Sequence, residues 1–122
     1  MKIRIKGNSI RLRLSKSEVA CFVSTGYLEE QTFFGDNTFV YALQASGNGD
    51  ELTATFEGGK ITVLIPGMMI DDWPGNTTVG FSSHQQLTGM NSLHLLVEKD
   101  FICLDETTED QSDHYENPNK TC

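Results

Sequence analysis

The sequence predicts an α+β protein that is mainly antiparallel β, with about seven short strands in a curled sheet or small open barrel and two short helices. Three observations carry that prediction. Apolar and polar residues alternate with a period of two in most segments, as where Leu93, Leu95 and Val97 interleave with His94 and Leu96. The alternating segments are short, and tight glycine turns such as Gly7-Asn8 and Gly58-Gly59 separate them. Helix signals appear in two places, after Ser15 and after Pro66-Gly67.

The first hairpin is specified down to its register. Gly7-Asn8 suits a two-residue turn, because both residues tolerate positive φ. With those two at the turn, Ile5 faces Ile10, Ile3 faces Leu12, Arg4 faces Arg11 and Lys2 faces Arg13. One face of the hairpin is then apolar and the other basic. Ser15-Lys16-Ser17-Glu18 has capping-box spacing, so a helix should follow with Val19, Phe22 and Val23 buried and end at Gly26. Cys21, inside that helix, is expected to be a small buried hydrophobe.

Residues 27–34 read as a strand, and a turn at Gly35-Asp36-Asn37 leads to a second in which Phe39, Tyr41 and Leu43 alternate with Thr38, Val40 and Ala42. Ser46 to Asp50 form a loop. In the next hairpin Leu52, Ala54 and Phe56 return as Ile65, Val63 and Ile61 across Gly58-Gly59, with Glu57 opposite Lys60 on the outer face. Met68 to Trp73 should make one or two helical turns with Met69, Ile70 and Trp73 inward, before Pro74-Gly75 breaks them. Residues 78–82 and 92–98 are two further strands, separated by a polar segment with His84, Gln85 and Gln86. A last short strand is expected over 100–105. Residues 1–105 thus form one α+β domain, followed by an acidic polar segment over 106–122 that docks or stays disordered.

Charge is unevenly placed along the chain. The net charge is −8, yet six of the nine basic residues fall in the first sixteen positions. Like charges opposite one another in a hairpin repel, so Lys2, Arg4, Arg11 and Arg13 need either the chain's own carboxylates or an anion. Those four residues are the candidate anion-binding set, for a phosphate or carboxylate. The acidic C-terminal segment is the expected intramolecular partner. An acidic balance argues against nucleic acid, and no apolar stretch is long enough for a membrane span. The N-terminus lacks the apolar core of a secretory signal, and Cys21, Cys103 and Cys122 are an odd number without close spacing. Both features predict a cytoplasmic protein.

Metal and nucleophile chemistry find weaker support. Cys103, His114 and Cys122 would supply sulfur and nitrogen ligands to zinc, with Asp105, Asp110 or Asp113 as a fourth, but no close Cys-Cys or His-His pair is present. No cofactor is expected on that spacing. Cys103 paired with His94 or His114 as a nucleophile lies among carboxylates that disfavour the thiolate. No Ser-His-Asp elbow or nucleotide fingerprint is present.

The opening residues Lys2 to Val19, together with Leu96 to Asp105 and Glu109-Asp110-Gln111-Ser112-Asp113, resemble a family of small bacterial proteins of unknown function. The resemblance spans essentially the whole chain and implies a single cytoplasmic domain with no assigned activity. Family members often carry a Phe-Pro-Asn-Pro-like segment after the acidic motif. Tyr115-Glu116-Asn117-Pro118-Asn119 stands in its place here, which implies a docking role. The triphosphate tunnel barrel offers only an analogy of design, since the paired glutamates of its first strand are missing. The expected function is therefore a small non-enzymatic binding or accessory protein, with an anion site on the basic hairpin or a metal site near the C-terminus as alternatives.

Overall fold

The computed structural model describes residues 1–47 and 49–101. Its order is β1 (Lys2–Lys6), β2 (Ser9–Leu14), α1 (Lys16–Thr25), β3 (Tyr27–Phe33), β4 (Thr38–Ser46), β5 (Thr53–Glu57), β6 (Lys60–Pro66), β7 (Gly80–Gln86) and β8 (Ser92–Lys99). Short 3₁₀ turns at Gly67–Met69 and Trp73–Gly75 join β6 to β7.

The expected mainly-β α+β class is observed, with eight strands among the described residues instead of about seven. They do not close into a barrel. There are two four-stranded sheets, β1-β2-β8-β7 and β3-β4-β6-β5. Each sheet is two antiparallel hairpins laid side by side, and their second strands pair in parallel at the centre, β2 with β8 and β4 with β6. Parallel pairing of this kind joins residues far apart in the chain, so no turn signal in the sequence announces it.

The inner faces share one core. Leu12, Leu14, Leu95 and Val97 from the first sheet meet Leu43, Val63 and Ile65 from the second, together with Phe22 and Trp73. Burial of such side chains contributes about 1.5–3 kcal/mol each. Trp73 is fully enclosed, donates from its indole Nε1 to the Thr78 carbonyl at 2.9 Å, and stands edge-on to Phe81 with ring centroids 5.1 Å apart.

The hairpin register predicted for β1 and β2 is observed, including Arg4 opposite Arg11 and Lys2 opposite Arg13. The capping box is present too. The Ser15 hydroxyl accepts from the Glu18 amide, and Glu18 accepts from the Ser15 amide at 2.8 Å. Gly26 ends α1 in the left-handed region at φ 78°, where a side chain would be strained. Val19 and Phe22 are buried and Val23 partly so. Cys21, expected to be buried, is exposed. It lies about 100° around the helix from Phe22, off the stripe that faces the sheets.

Other expectations shift. Around Trp73 only 3₁₀ turns form, because Pro66-Gly67 and Pro74-Gly75 leave too short a run to nucleate an α-helix. Glu57 does face Lys60 in register, but the Lys60 ammonium turns instead to the Tyr27 hydroxyl at 2.7 Å and to Glu29 at 3.5 Å. The polar segment of His84, Gln85 and Gln86 belongs to β7 and does not separate strands. Its inward polar residues have a structural reason. Ser83 donates to the Leu52 carbonyl and Gln85 accepts from the Ala54 amide, each at 2.7 Å, which ties β7 to the edge strand of the other sheet. Asp100 and Phe101, the start of the expected last strand, are not in a strand; the rest of that strand and the segment 106–122 lie outside the described residues.

Candidate functional site: the basic outer face of the first sheet

The outer face of the first sheet is assembled in three rows by strand register. Lys2, Arg13, Glu98 and Gly80 form one, Arg4, Arg11, Leu96 and Ser82 the next, and Lys6, Ser9, His94 and His84 the third. The alternation that buries Ile3, Ile10 and Leu12 places all the hairpin's cations on this side.

The rows differ in how their charges are met. Lys2 reaches Asp100 at 3.1 Å, and the Arg11 Nε lies 2.9 Å from Glu98 Oε1. That Glu98 oxygen is shielded from solvent and makes no hydrogen bond among the described residues, so Arg11 neutralises it by charge while its N–H points off the oxygen. Gly80 makes room for this carboxylate. A Cβ there would lie 2.9 Å from Glu98 Cγ. β8 and the residue after it therefore supply part of the acidic match that the sequence suggested would come from the C-terminal segment.

At the turn end of the hairpin the balance is different. Arg4, Lys6, Ser9 and Arg11 line a depression of about 190 Å³. Ser9 is the smallest side chain of its row, and it leaves the floor between three cations. Lys6 and Arg13 have no ion-pair partner among the described residues. Of the residues singled out from the sequence, the structure brings Arg4 and Arg11 into this depression. Lys2 is turned away to Asp100, and Arg13 belongs to the far row. Lys6 and Ser9 were missed, although the same register that pairs Arg4 with Arg11 ends by pairing Lys6 with Ser9.

Row three continues onto β8 and β7 as a pair of histidines. His84 and His94 face each other in register with ring centroids 4.3 Å apart and planes 7° from parallel. Sequence reading placed His94 on the outer face but left His84 in a loop, so the pair was not visible.

Two larger depressions are mainly apolar. One of about 370 Å³ lies where Leu14, Val19, Ala20 and Phe101 meet; the other, of about 420 Å³, opens between the sheets beside Ile5, Phe56, Leu87 and Leu93. The first also carries Lys16, Lys99 and Asp100 in its lining, and the second has no charged residue. The zinc candidates Cys103, His114 and Cys122 lie outside the described residues, as does the nucleophile candidate Cys103. Among the described residues no group of three or more His, Cys, Asp or Glu side chains is arranged to hold a metal.

A second charged cluster holds the chain's first residue in place. The Met1 ammonium pairs with Glu18 and lies 3.4 Å from Glu30, while the Met1 carbonyl accepts from the Tyr41 hydroxyl at 2.7 Å. Burial pushes the Glu18 carboxyl up, but the Met1 ammonium and the Ser15 amide and hydroxyl outweigh it, so its pKa is lowered. Burial and the nearby Glu30 and Glu18 carboxylates raise the Tyr41 pKa. On the outer face of the second sheet, hydrogen bonds from Tyr27 and Gln31 lower the Glu29 pKa. The Tyr27 hydroxyl and Glu29 raise that of Lys60. These groups all have partners within the fold and are read as structural.

A sequence family described as a family of unknown function, DUF7009, matches residues 1–119. The chain belongs to that family. The match agrees with the resemblance read from the two ends of the sequence, and the family has no assigned activity. Comparison with curated proteins and with solved structures found no match. No helix among the described residues is long and apolar enough to cross a membrane.

Proposed function

We propose that this protein is a small binding module that takes an anion, a phosphate or a carboxylate, on the outer face of its first sheet. One observation carries the reading: Arg4, Lys6 and Arg11 converge around Ser9 in a single depression. Arginine offers paired donors suited to the planar edges of phosphate and carboxylate, and lysine adds a mobile point charge. Asp100 meets Lys2 in the far row and Glu98 meets Arg11, while Lys6 at the turn end has no ion-pair partner among the described residues. A binding role is preferred over a catalytic one because nothing in this depression is a nucleophile paired with a base. The exposed Cys21 thiol fits a reducing bacterial cytoplasm as the setting.

The test is a thermal-shift and calorimetric titration with inorganic phosphate, sulfate and citrate at low ionic strength. A ligand at ~100 times its Kd stabilises by about 2.7 kcal/mol, a rise in Tm of roughly 10 °C for a chain of this size. Lys6→Gln should lose most of that shift with its ligand-free Tm unchanged. Lys16→Gln, at the exposed start of α1, should keep it. An absence of stabilisation at millimolar ligand in low salt would overturn the reading, and so would equal losses in both variants.

A further inference from the structure

The core is closed at one end of the two sheets and open at the other. At the closed end Leu14, Phe22 and Trp73 are fully buried where α1 meets the turn that carries Trp73. The opposite end gathers the four hairpin turns, β1–β2, β3–β4, β5–β6 and β7–β8. Asn8 is bonded to Ser92 and His94 at the start of β8, and the Val40 amide near the start of β4 donates to the Gly59 carbonyl. Every helical segment among the described residues follows the far end of β2 or β6, so none covers the turns.

Between the turns the sheets part around the depression of about 420 Å³, with Ile5 on one lip and Phe56 on the other. Six of the nine large apolar side chains exposed among the described residues lie at this end: Ile5, Phe33, Phe34, Phe56, Leu87 and Met90. Phe56 is 68% exposed and Met90 completely so. Apolar surface concentrated in this way marks a contact site.

Charge at the turns identifies what the surface fits. Hairpin centres lie two strand spacings apart, roughly 10 Å, and stacked sheets are also about 10 Å apart, so the turns mark the corners of a near-square. Met1 meets Glu30 and Tyr41, which sets the β1–β2 corner across the sandwich from the β3–β4 corner. Ser83 and Gln85 reach the backbone of Leu52 and Ala54, which sets β7–β8 across from β5–β6. The β1–β2 corner carries Lys6, the β3–β4 corner Asp36 and the β5–β6 corner Glu57, while residues 86–92 hold no charge. Lys60 is taken up by Tyr27 and Glu29.

A chain with a net charge of −8 repels its own copies over most approaches. Two copies that meet end to end about a two-fold axis exchange these corners, and each contact occurs twice. Exchange within each sheet sets Asp36 against Glu57. Exchange along a diagonal leaves two corners on the axis, which sets Asp36 against Asp36, or Lys6 against Lys6 and Glu57 against Glu57. Exchange across the sandwich avoids every like-charge contact. It sets Lys6 against Asp36, Ile5 beside Phe33 and Phe34, and Phe56 beside Leu87 and Met90.

We propose that the turn end of the sandwich docks a second copy of this chain in that last arrangement, with an apolar centre and paired Lys6–Asp36 contacts at the rim. The rim pairs fix the register of the copies, and the apolar corners supply most of the attraction. The inference does not use the anion reading. Lys6 lines the basic depression as well, so a bound anion and Asp36 of the second copy compete for one ammonium.

Sedimentation equilibrium between about 5 and about 500 µM, in a low-salt chloride buffer without multivalent anions, reads the association. The chain should approach twice its own mass as concentration rises. Met90→Glu and Asp36→Lys should each weaken the dimer at least about fivefold. Lys6→Glu/Asp36→Lys, which restores opposite charges, should recover the wild-type constant to within about twofold. Glu57→Lys faces the uncharged corner and Met68→Glu lies at the closed end, so both should leave the dimer intact. Every altered side chain is exposed, and far-UV circular dichroism checks that each variant is folded. A chain that stays monomeric throughout overturns the inference and leaves the open end to a small apolar ligand or a different protein. A dimer that Met68→Glu weakens as much as Met90→Glu overturns it too, as does a double charge variant no tighter than Asp36→Lys alone.

Discussion

Gly80→Ala probes the contact on which the outer face depends. Gly80 sits on β7 opposite Glu98 of β8, and a Cβ built there overlaps the Val97 carbonyl oxygen and lies 2.8 Å from Glu98 Cα. Ordinary contacts between carbons run at about 3.5–4.0 Å. The two strands would have to part by roughly an ångström, although their hydrogen-bonded ladder holds them. Overpacking of this kind costs about 1–3 kcal/mol. The stiffer unfolded chain offsets about 0.4–1 kcal/mol of that. A net loss of about 1–2 kcal/mol follows, or a fall in Tm of roughly 3–10 °C. Urea denaturation followed by far-UV circular dichroism measures it, and the midpoint should drop with the slope unchanged. Gly75→Ala is the control. No atom lies within 4 Å of a Cβ there and its backbone is not left-handed, so it should be neutral or slightly stabilising. A Gly80→Ala midpoint equal to or above the wild type would refute the packing argument.

Three further outcomes are expected. Trp73→Ala removes a fully buried indole and leaves the Thr78 carbonyl without its donor, and should cost about 3–5 kcal/mol by urea denaturation. Glu18→Gln keeps an oxygen that can accept from the Ser15 amide but loses the charge that meets the Met1 ammonium and the start of α1, and should destabilise at neutral pH by about 0.3–1 kcal/mol. Because the folded Glu18 pKa is lowered, that advantage is complete above the ordinary carboxylate range and is lost as pH falls through the folded value. The wild-type and variant stability curves should therefore converge in acid, and a constant gap down to acid unfolding would contradict the assignment. Cys21, exposed on α1, should be alkylated by iodoacetamide in the native protein, as read by peptide mass mapping, and Cys21→Ser should change stability by no more than about 0.5 kcal/mol.

Much of the fold is local chemistry, and local chemistry is legible. The register of the first hairpin follows from Gly7-Asn8 and the period of two, because every pairing in it lies within a dozen residues. The Ser15–Glu18 cap and the Gly26 stop are similarly short-range. Half of the candidate site, Arg4 and Arg11, came from the same reasoning. The rest was hidden for definite reasons. β7 does not alternate apolar with polar residues, since Ser83 and Gln85 point inward to serve the backbone of Leu52 and Ala54 in the other sheet. A strand whose inward residues are polar resembles a loop in one dimension. Cys21 shows the reverse error, an apolar residue type placed off the buried stripe of its helix.

From the sequence alone come a β-rich α+β chain, its hairpins with their faces, and a concentration of positive charge at one end. The tertiary structure decided what that charge adjoins. Parallel pairing of β2 with β8 spans most of the chain and sets His94 beside Ser9, and β7 then sets His84 against His94. It also brings Glu98 and Asp100 to Arg11 and Lys2. Such placement depends on which hairpins the shared core drives together. A pattern with a period of two records the face on which a residue lies and carries no information about its neighbour across the sheet.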